Sequence, residues 1–322
     1  MNLIAIAKET LAIEADALMK ASLRLDESFL QAIDIIFTTK GKLIITGVGK
    51  SGLVGAKIAA TFASTGTSSF FLHPTEALHG DLGMIAKGDT LLAISSSGES
   101  EELTKILPHI ERFNIPLIAL TGKKTSSLAK YAKTTLDISV EKEACPLNIA
   151  PTSSTTLTMA LGDALAVALM KKRGFREEDF ASFHPGGSLG KKFFIKIKDL
   201  MQTKNLPIIK DYFTLKEAIV PMSMGKLGTV LIVNEKEDFI GLLSDGDLRR
   251  ALMSENFNMD NLAIEYATIN PKHCSDINLL ASDALFLIEQ NKIQVLPLVS
   301  RDKKILGVLH IHDLINAGIE SK

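Results

Sequence analysis

The sequence predicts an α/β chain: a parallel sheet flanked by helices, followed by a smaller α+β region built as a duplicated unit. Over the first half, short apolar runs that end in Gly or Ser/Gly turns alternate with helix-forming stretches, the pattern of successive βαβ units. In the last third, Gly241-Leu-Leu-Ser-Asp-Gly-Asp-Leu248 is echoed by Gly307-Val-Leu-His-Ile-His-Asp-Leu314 at an offset of 66 residues, from 241 to 307 and from 247 to 313. Such self-similarity marks an internal duplication. The chain has 322 residues, room for about two domains.

Residues 3–39 are rich in Ala, Leu and Ile with spaced charges, which predicts one or two amphipathic helices. Lys42–Thr46 reads as a first strand that runs into a glycine turn, and Leu53–Ser64 as a helix. Ser69–Leu72, Thr90–Ser95, Ile115–Thr121 and Thr134–Ser139 read as further strands, with a helix from about Glu101. Ser153–Arg173 is a long helix with Ser and Thr crowding its first turn. The breaker-rich His184-Pro-Gly-Gly-Ser-Leu-Gly190 closes the first domain, set at 1–190. The repeats occupy 198–255 and 262–322, each with an apolar strand, Thr229–Val233 and Val295–Val299, before its echoed segment.

Charge narrows the partner classes. There are 36 basic and 37 acidic residues, a net charge of -1, so no basic excess exists to hold a nucleic-acid backbone. Cys145 and Cys274 are far apart in sequence and fit a reduced compartment. Lys8, Glu9, Glu14 and Asp16 interrupt the first twenty residues, so no apolar signal core is read there. The uncharged windows Ile58–Thr75 and Ala144–Gly162 are full of Ser, Thr, Gly and Pro and do not read as membrane spans. The expectation is a soluble, cytoplasmic protein with no membrane or nucleic-acid partner.

Gly47-Val-Gly49-Lys-Ser-Gly52 follows a strand and opens a helix, as in a dinucleotide fingerprint. That reading needs an acidic residue about 20 positions on to hold the ribose, and Leu53–Thr75 contains none. A Walker A loop fails on spacing, because Ile44 stands where its first glycine belongs. What survives is the physics: a glycine turn at a helix start offers backbone N–H groups to an anion. Gly49, Lys50 and Ser51 then add an amide, a cation and a hydroxyl for a small phosphorylated or polyhydroxylated ligand. Ser95-Ser-Ser-Gly-Glu-Ser100 forms a second hydroxyl-rich cradle between a strand and a helix. Capping the helix would need fewer hydroxyls.

This pattern resembles the SIS (sugar isomerase) domain, a three-layer αβα sandwich in which a Ser-x-Ser-Gly-Glu-Ser/Thr loop grips a phosphate. The resemblance implies that Ser95, Ser97 and Ser100 are phosphate ligands. Ala59-Ala-Thr-Phe-Ala-Ser-Thr-Gly-Thr67, Phe71-Leu-His-Pro-Thr-Glu-Ala-Leu-His-Gly-Asp-Leu-Gly83, Glu143-Ala-Cys-Pro146 and Ala150-Pro-Thr-Ser-Ser-Thr-Thr156 narrow it to the bacterial D-arabinose-5-phosphate isomerase family. The duplicated segment resembles that family's tandem CBS repeats. The implied reaction interconverts D-ribulose 5-phosphate and D-arabinose 5-phosphate through an enediol, supplying synthesis of the lipopolysaccharide sugar 3-deoxy-D-manno-octulosonate. No cofactor is required. By position in the matching motifs, the family's catalytic set falls on Lys50, Glu102, Glu143 and His184, and Thr65 and His79 join the substrate contacts.

In the family the histidine matching His79 takes up inhibitory zinc, while no metal is needed for turnover. His73 and His79 lack the tight spacing of a helical metal pair. Burial in its Pro-flanked loop is expected to raise the pKa of Glu143, which favours it as the proton shuttle. Glu102 lies in a first helical turn, where the dipole favours the charged form. The CBS likeness implies a nucleotide or sugar nucleotide held by Ser244, Asp247 and Asp313. His310 stands where the second repeat should carry a hydroxyl, which weakens the case for a second nucleotide site, and the repeats could instead serve oligomerisation. The likeness also implies a homotetramer. The rival reading is a non-catalytic sugar-phosphate sensor, a class that usually carries a basic DNA-binding helix pair.

Overall fold

The computed structural model describes residues 1–320, and the chain divides into two compact units between Phe180 and Ala181. The first begins with α1 (Leu3–Leu23) and α2 (Glu27–Thr38). Then come β1 (Leu43–Gly47), α3 (Gly49–Ser64), β2 (Ser69–Leu72), α4 (Pro74–Leu78), β3 (Thr90–Ile94) and α5 (Glu101–Arg112). β4 (Leu117–Thr121), α6 (Ser127–Tyr131), β5 (Thr134–Asp137) and α7 (Ser153–Arg173) complete it, and α8 (Glu177–Phe183) carries the junction.

The five strands are all parallel, in the order β2-β1-β3-β4-β5. β1, β3 and β4 are buried along their whole length, which is why their sequences are continuous apolar runs rather than alternating ones. Successive side chains point to opposite faces. Ile45, Leu92, Ile94, Ile118 and Leu120 meet Ile36, Phe62 and Leu165 from α2, α3 and α7. Ile44, Leu91, Ala93, Leu117 and Ala119 meet Leu103, Ile106 and Ile110 from α5. The result is a helix–sheet–helix sandwich, with each fully buried Leu or Ile contributing roughly 1.5–3 kcal/mol. β4 starts two residues later than its apolar run suggests. Pro116 has no N–H for a ladder, though its carbonyl accepts the Leu91 amide at 2.8 Å.

α7 is long and apolar enough to cross a membrane by length and composition, but half of that window is buried in the protein. Leu157, Leu161, Leu165 and Leu169 form its inward stripe. In a sheet of this order the chain changes direction between β1 and β3. Crevices of ligand-binding size form beyond the carboxyl ends of the strands at that point.

The second unit contains α9 (Ser188–Phe194), β6 (Ile208–Lys210), α10 (Leu215–Gly225), β7 (Thr229–Val233), β8 (Phe239–Ser244) and α11 (Asp245–Leu252). It continues with α12 (Ala263–Tyr266), β9 (Thr268–Ile269), α13 (Ala281–Gln290), β10 (Val295–Val299), β11 (Ile305–His310) and α14 (Ile311–Asn316). The β7–β8 and β10–β11 hairpins are antiparallel, with bulges at Ile232/Val233 and Leu298/Val299. Every strand bound and the bulge itself recur at the 66-residue offset, 229 to 295 and 244 to 310. The sequence echo is therefore a structural duplication. Leu231, Phe239, Val295, Val299 and Val308 make a core common to the two hairpins.

Candidate active site

The glycine turn after β1 is already helical. α3 begins at Gly49, four residues before the sequence reading placed it, with Val48 as an N-cap that gives no side-chain bond. Lys50 and Ser51 therefore sit on the helix's first turn, whose amides are left to an outside acceptor. The tight return is set by Gly52: a Cβ there would stand 2.7 Å from the Gly47 carbonyl oxygen, closer than any side chain tolerates.

The loop after β3 is held by its own hydroxyls. Ser95 Oγ lies 2.9 Å from Ser100 Oγ and accepts the Gly98 amide at 3.1 Å. Ser97 Oγ accepts the Glu99 amide at 3.2 Å, and the Glu99 carboxylate accepts the Ser127 amide at 2.9 Å. That last bond holds the Glu99 carboxyl below its ordinary range. Ser100 is the N-cap of α5 yet makes no side-chain cap bond, so these serines do more than cap. Ser95 is buried, Ser100 half-buried and Ser97 exposed at the tip. Glu102 follows, half-buried in the first turn of α5.

Glu143 lies in the long connection between β5 and α7. Its amide donates to Asn148 Oδ1 at 2.6 Å, and its Oε2 accepts the Thr152 amide at 2.7 Å, the Thr152 hydroxyl at 3.0 Å and the Ser154 amide at 3.2 Å. Partial burial pushes the carboxyl up, but the Ser154 hydroxyl and these donors outweigh it and hold the group below the usual carboxylate range. The expected rise is thus reversed, because the carboxylate sits where α7 presents its first amides. Next to it, the amides of Ile149, Ala150 and Leu147 hold the Cys145 thiol below its ordinary value.

Lys50, Ser51 and Glu143 line one cavity of about 370 Å³ together with Ser96, Asn148 and Thr158, a size in the usual range for small-ligand pockets. On its other side Lys50 joins Gly49, Phe71 and His73 along an open groove of about 490 Å³. Ser96, Asn148, Ser154, Thr155 and Thr158 are cavity residues that the sequence reading did not select. The hydroxyl-rich start of α7 signalled Ser154 and Thr155, the Ser95–Ser100 run contained Ser96, and nothing marked Asn148 or Thr158.

Thr65 is not brought to this cavity within the chain. It is the C-cap of α3 and bonds the Thr61 carbonyl at 2.7 Å, roughly 22 Å along the helix from Lys50 at 1.5 Å per residue. His79 is exposed at the C-cap of α4. Among the described residues no three His, Cys, Asp or Glu side chains converge as a metal cluster. His184 belongs to the second unit, in a turn after α8 where its carbonyl accepts the Gly187 amide at 3.1 Å.

The second unit has a cleft of about 680 Å³, lined by Ser244, Asp247, Arg249, Arg250, Lys272 and Lys292 among others. Ser244 and Asp247 form a reciprocal cap on α11: Ser244 Oγ accepts the Asp247 amide, and Asp247 Oδ2 accepts the Ser244 amide at 2.9 Å and hydroxyl at 2.7 Å. Asp247 also pairs with Arg250. In the second repeat the same cap is built by His310 and Asp313, and Asp313 accepts a bond from Gln202 at 2.9 Å.

Comparison with known proteins agrees with this architecture. Residues 36–168 match the SIS domain, and residues 197–254 and 275–320 match the CBS domain. An uncharacterised protein of Helicobacter pylori strain J99 is 47% identical over 322 residues, covering 98% of each chain. Arabinose 5-phosphate isomerase KdsD of Pseudomonas aeruginosa is 44% identical over 320 residues, covering 99% of this chain and 98% of its own. Among solved structures, E. coli CFT073 c3406 in complex with A5P superposes with a TM-score of 0.56 at 41% identity, covering 57% of this chain and 98% of that one. With a SIS sandwich, a tandem CBS unit and near-complete coverage at this identity, the chain belongs to the arabinose 5-phosphate isomerase KdsD family.

Proposed function

We propose that this protein is an aldose–ketose isomerase interconverting D-ribulose 5-phosphate and D-arabinose 5-phosphate. The observation that carries the reading is the single cavity at the β1/β3 edge that gathers Lys50, Ser51 and Ser96 with an ionised Glu143. The reaction moves a proton between C1 and C2 and passes through an enediolate. It needs a base beside the carbon and a donor for the oxygen that becomes charged.

Glu143, held as a carboxylate, is the base that takes the C1 proton and returns it at C2. Lys50, on the wall of the same cavity, is the cation for the developing oxyanion. Ser95, Ser97 and Ser100, with the open first turns of α3 and α5, hold the phosphate. Gly49 and Ser51 contribute an amide and a hydroxyl to the same anion. The family resemblance adds Glu102 as a second carboxylate, His184 as an imidazole that opens the cyclic sugar or protonates an oxygen, and His79 beside the site.

The product is a precursor for 3-deoxy-D-manno-octulosonate. The second unit's cleft takes a nucleotide or sugar nucleotide, favoured by its four cationic side chains, Arg249, Arg250, Lys272 and Lys292. The protein works in the cytoplasm as a homotetramer. The exposed apolar residues of α1, among them Leu3, Ile4, Leu11 and Leu23, are the kind of surface that a subunit interface covers. Incubating the purified protein with D-ribulose 5-phosphate and following the sugar by NMR tests the central reading. Appearance of D-arabinose 5-phosphate supports it, and an unchanged spectrum rejects it.

A further inference from the structure

Thr152 occupies the N-cap position of α7, where a threonine hydroxyl ordinarily accepts an amide from the helix's own first turn. Here it makes no such bond. Its Oγ1 instead accepts the Ala144 amide at 2.8 Å and donates to Glu143 Oε2 at 3.0 Å, while its amide donates to the same oxygen at 2.7 Å. The Ala144 N–H takes up a lone pair of the hydroxyl, so the hydroxyl proton is directed onto the carboxylate. The Glu143 backbone is pinned in turn by Asn148 Oδ1 at 2.6 Å. One threonine therefore grips Glu143 through two bonds and fixes the strand of loop that carries it.

We propose that Thr152 is a positioning residue of the isomerisation, which holds Glu143 in a single orientation toward the substrate carbon. The proposal rests on the reading of Glu143 as the base. The depressed pKa of Glu143 agrees with it. Thr152 touches neither the sugar nor the reacting atoms in this account. Its effect passes wholly through the carboxylate, which distinguishes it from the hydroxyls of Ser51 and Ser96 on the cavity wall. A misplacement of about 1 Å at a reacting group can lower turnover by 100-fold, so a residue that sets the carboxylate's place has leverage on kcat rather than on binding.

The test compares Thr152→Val, Thr152→Ser and Glu143→Gln in the full-length chain, with D-ribulose 5-phosphate as substrate. Thr152→Val should keep the circular dichroism spectrum and leave KM within about twofold, while kcat falls about tenfold or more. The acid limb of its kcat/KM profile should move to higher pH, because the carboxylate has lost a donor that favours its charged form. Thr152→Ser, which keeps the hydroxyl, should restore both. Should the valine variant fail to fold, Thr152→Ala removes the hydroxyl without a branched methyl and carries the same comparison. An inactive Glu143→Gln beside a valine variant of unchanged kcat and acid limb would overturn the role of Thr152 and leave that of Glu143 standing. A fully active Glu143→Gln would overturn both.

Discussion

Ser95 and Ser100 meet hydroxyl to hydroxyl at 2.9 Å, closing the loop after β3 across five residues. The closure is tied down further, since the Ser96 carbonyl accepts the Gly122 amide at 3.0 Å and the Gly98 carbonyl accepts the Leu128 amide at 3.1 Å. A cradle already shaped needs little reordering to receive an anion, and that saving appears as affinity.

Ser97 is exposed at the tip of that loop. Ser97→Ala should raise KM several-fold with kcat nearly unchanged, because a phosphate handle is held alike in ground and transition states. Steady-state kinetics decide it, and a pure kcat defect would contradict the assignment.

Glu143→Gln should leave substrate binding nearly intact and lower turnover by roughly 100-fold or more, the usual contribution of a general base. Stability gives a second reading. A carboxylate whose folded pKa is depressed adds stability that is fully present above its ordinary pKa and is lost as pH falls through the depressed value. The glutamine variant should therefore melt lower than wild type near neutral pH, and the gap should close in acid.

Gly98 has φ +67°, and a Cβ on it would lie 2.1 Å from Ser126 Oγ and 2.9 Å from Thr121 Oγ1. Gly98→Ala combines a left-handed backbone with overpacking, each a cost on the order of 1–3 kcal/mol. A lowered Tm together with a raised KM is the expected outcome. Wild-type values for both would show that the loop is not held in this shape.

His310 caps α14 by accepting the His312 amide at its Nδ1, at 3.1 Å, with the two rings stacked at 5.0 Å. Burial and His312 push the His310 pKa down against the opposing pull of Asp313. The folded state thus prefers neutral imidazole, and stability is lost as pH falls through and below the ordinary histidine range. Thermal melts at about pH 7.5 and about pH 5.5 should show the second unit weakening in acid. His310→Ser, which copies the Ser244 cap of the first repeat, should reduce that dependence.

The cleft of the second unit should bind a nucleoside monophosphate, measurable by calorimetry. Arg249→Ala should weaken it by about tenfold, the value of one charge-assisted contact of about 1.4 kcal/mol. A variant that binds as wild type does would move the anion away from that wall of the cleft.

The fold was legible wherever an apolar run was long enough to show a period. Ser69–Leu72, Ser153–Arg173, Thr229–Val233 and Val295–Val299 appear as read. α4 and α6 are helices of five residues, little more than one turn, and β9 has two residues; all three are too short for a helical or strand period to emerge, and are set by what they pack against. Lys50, Ser51 and Glu143 were legible because their motifs are compact. Ser96 and Thr158 were not: one is a serine among serines, the other a buried helix residue that looks like core. Thr65 belongs to a recognisable motif but sits at the far end of α3. The sign of the Glu143 shift escaped because the donors that decide it stand nine and eleven residues further along.

That last spacing has a consequence for how the enzyme is made. β1 can pair with β2 once about seventy residues have left the ribosome, and the Lys50 turn can form then. Glu143 gains its amides only when Thr152 and the start of α7 have emerged and wound into a helix. A nascent chain that stops short of this point carries Glu143 without the amides that grip its carboxylate in the finished fold.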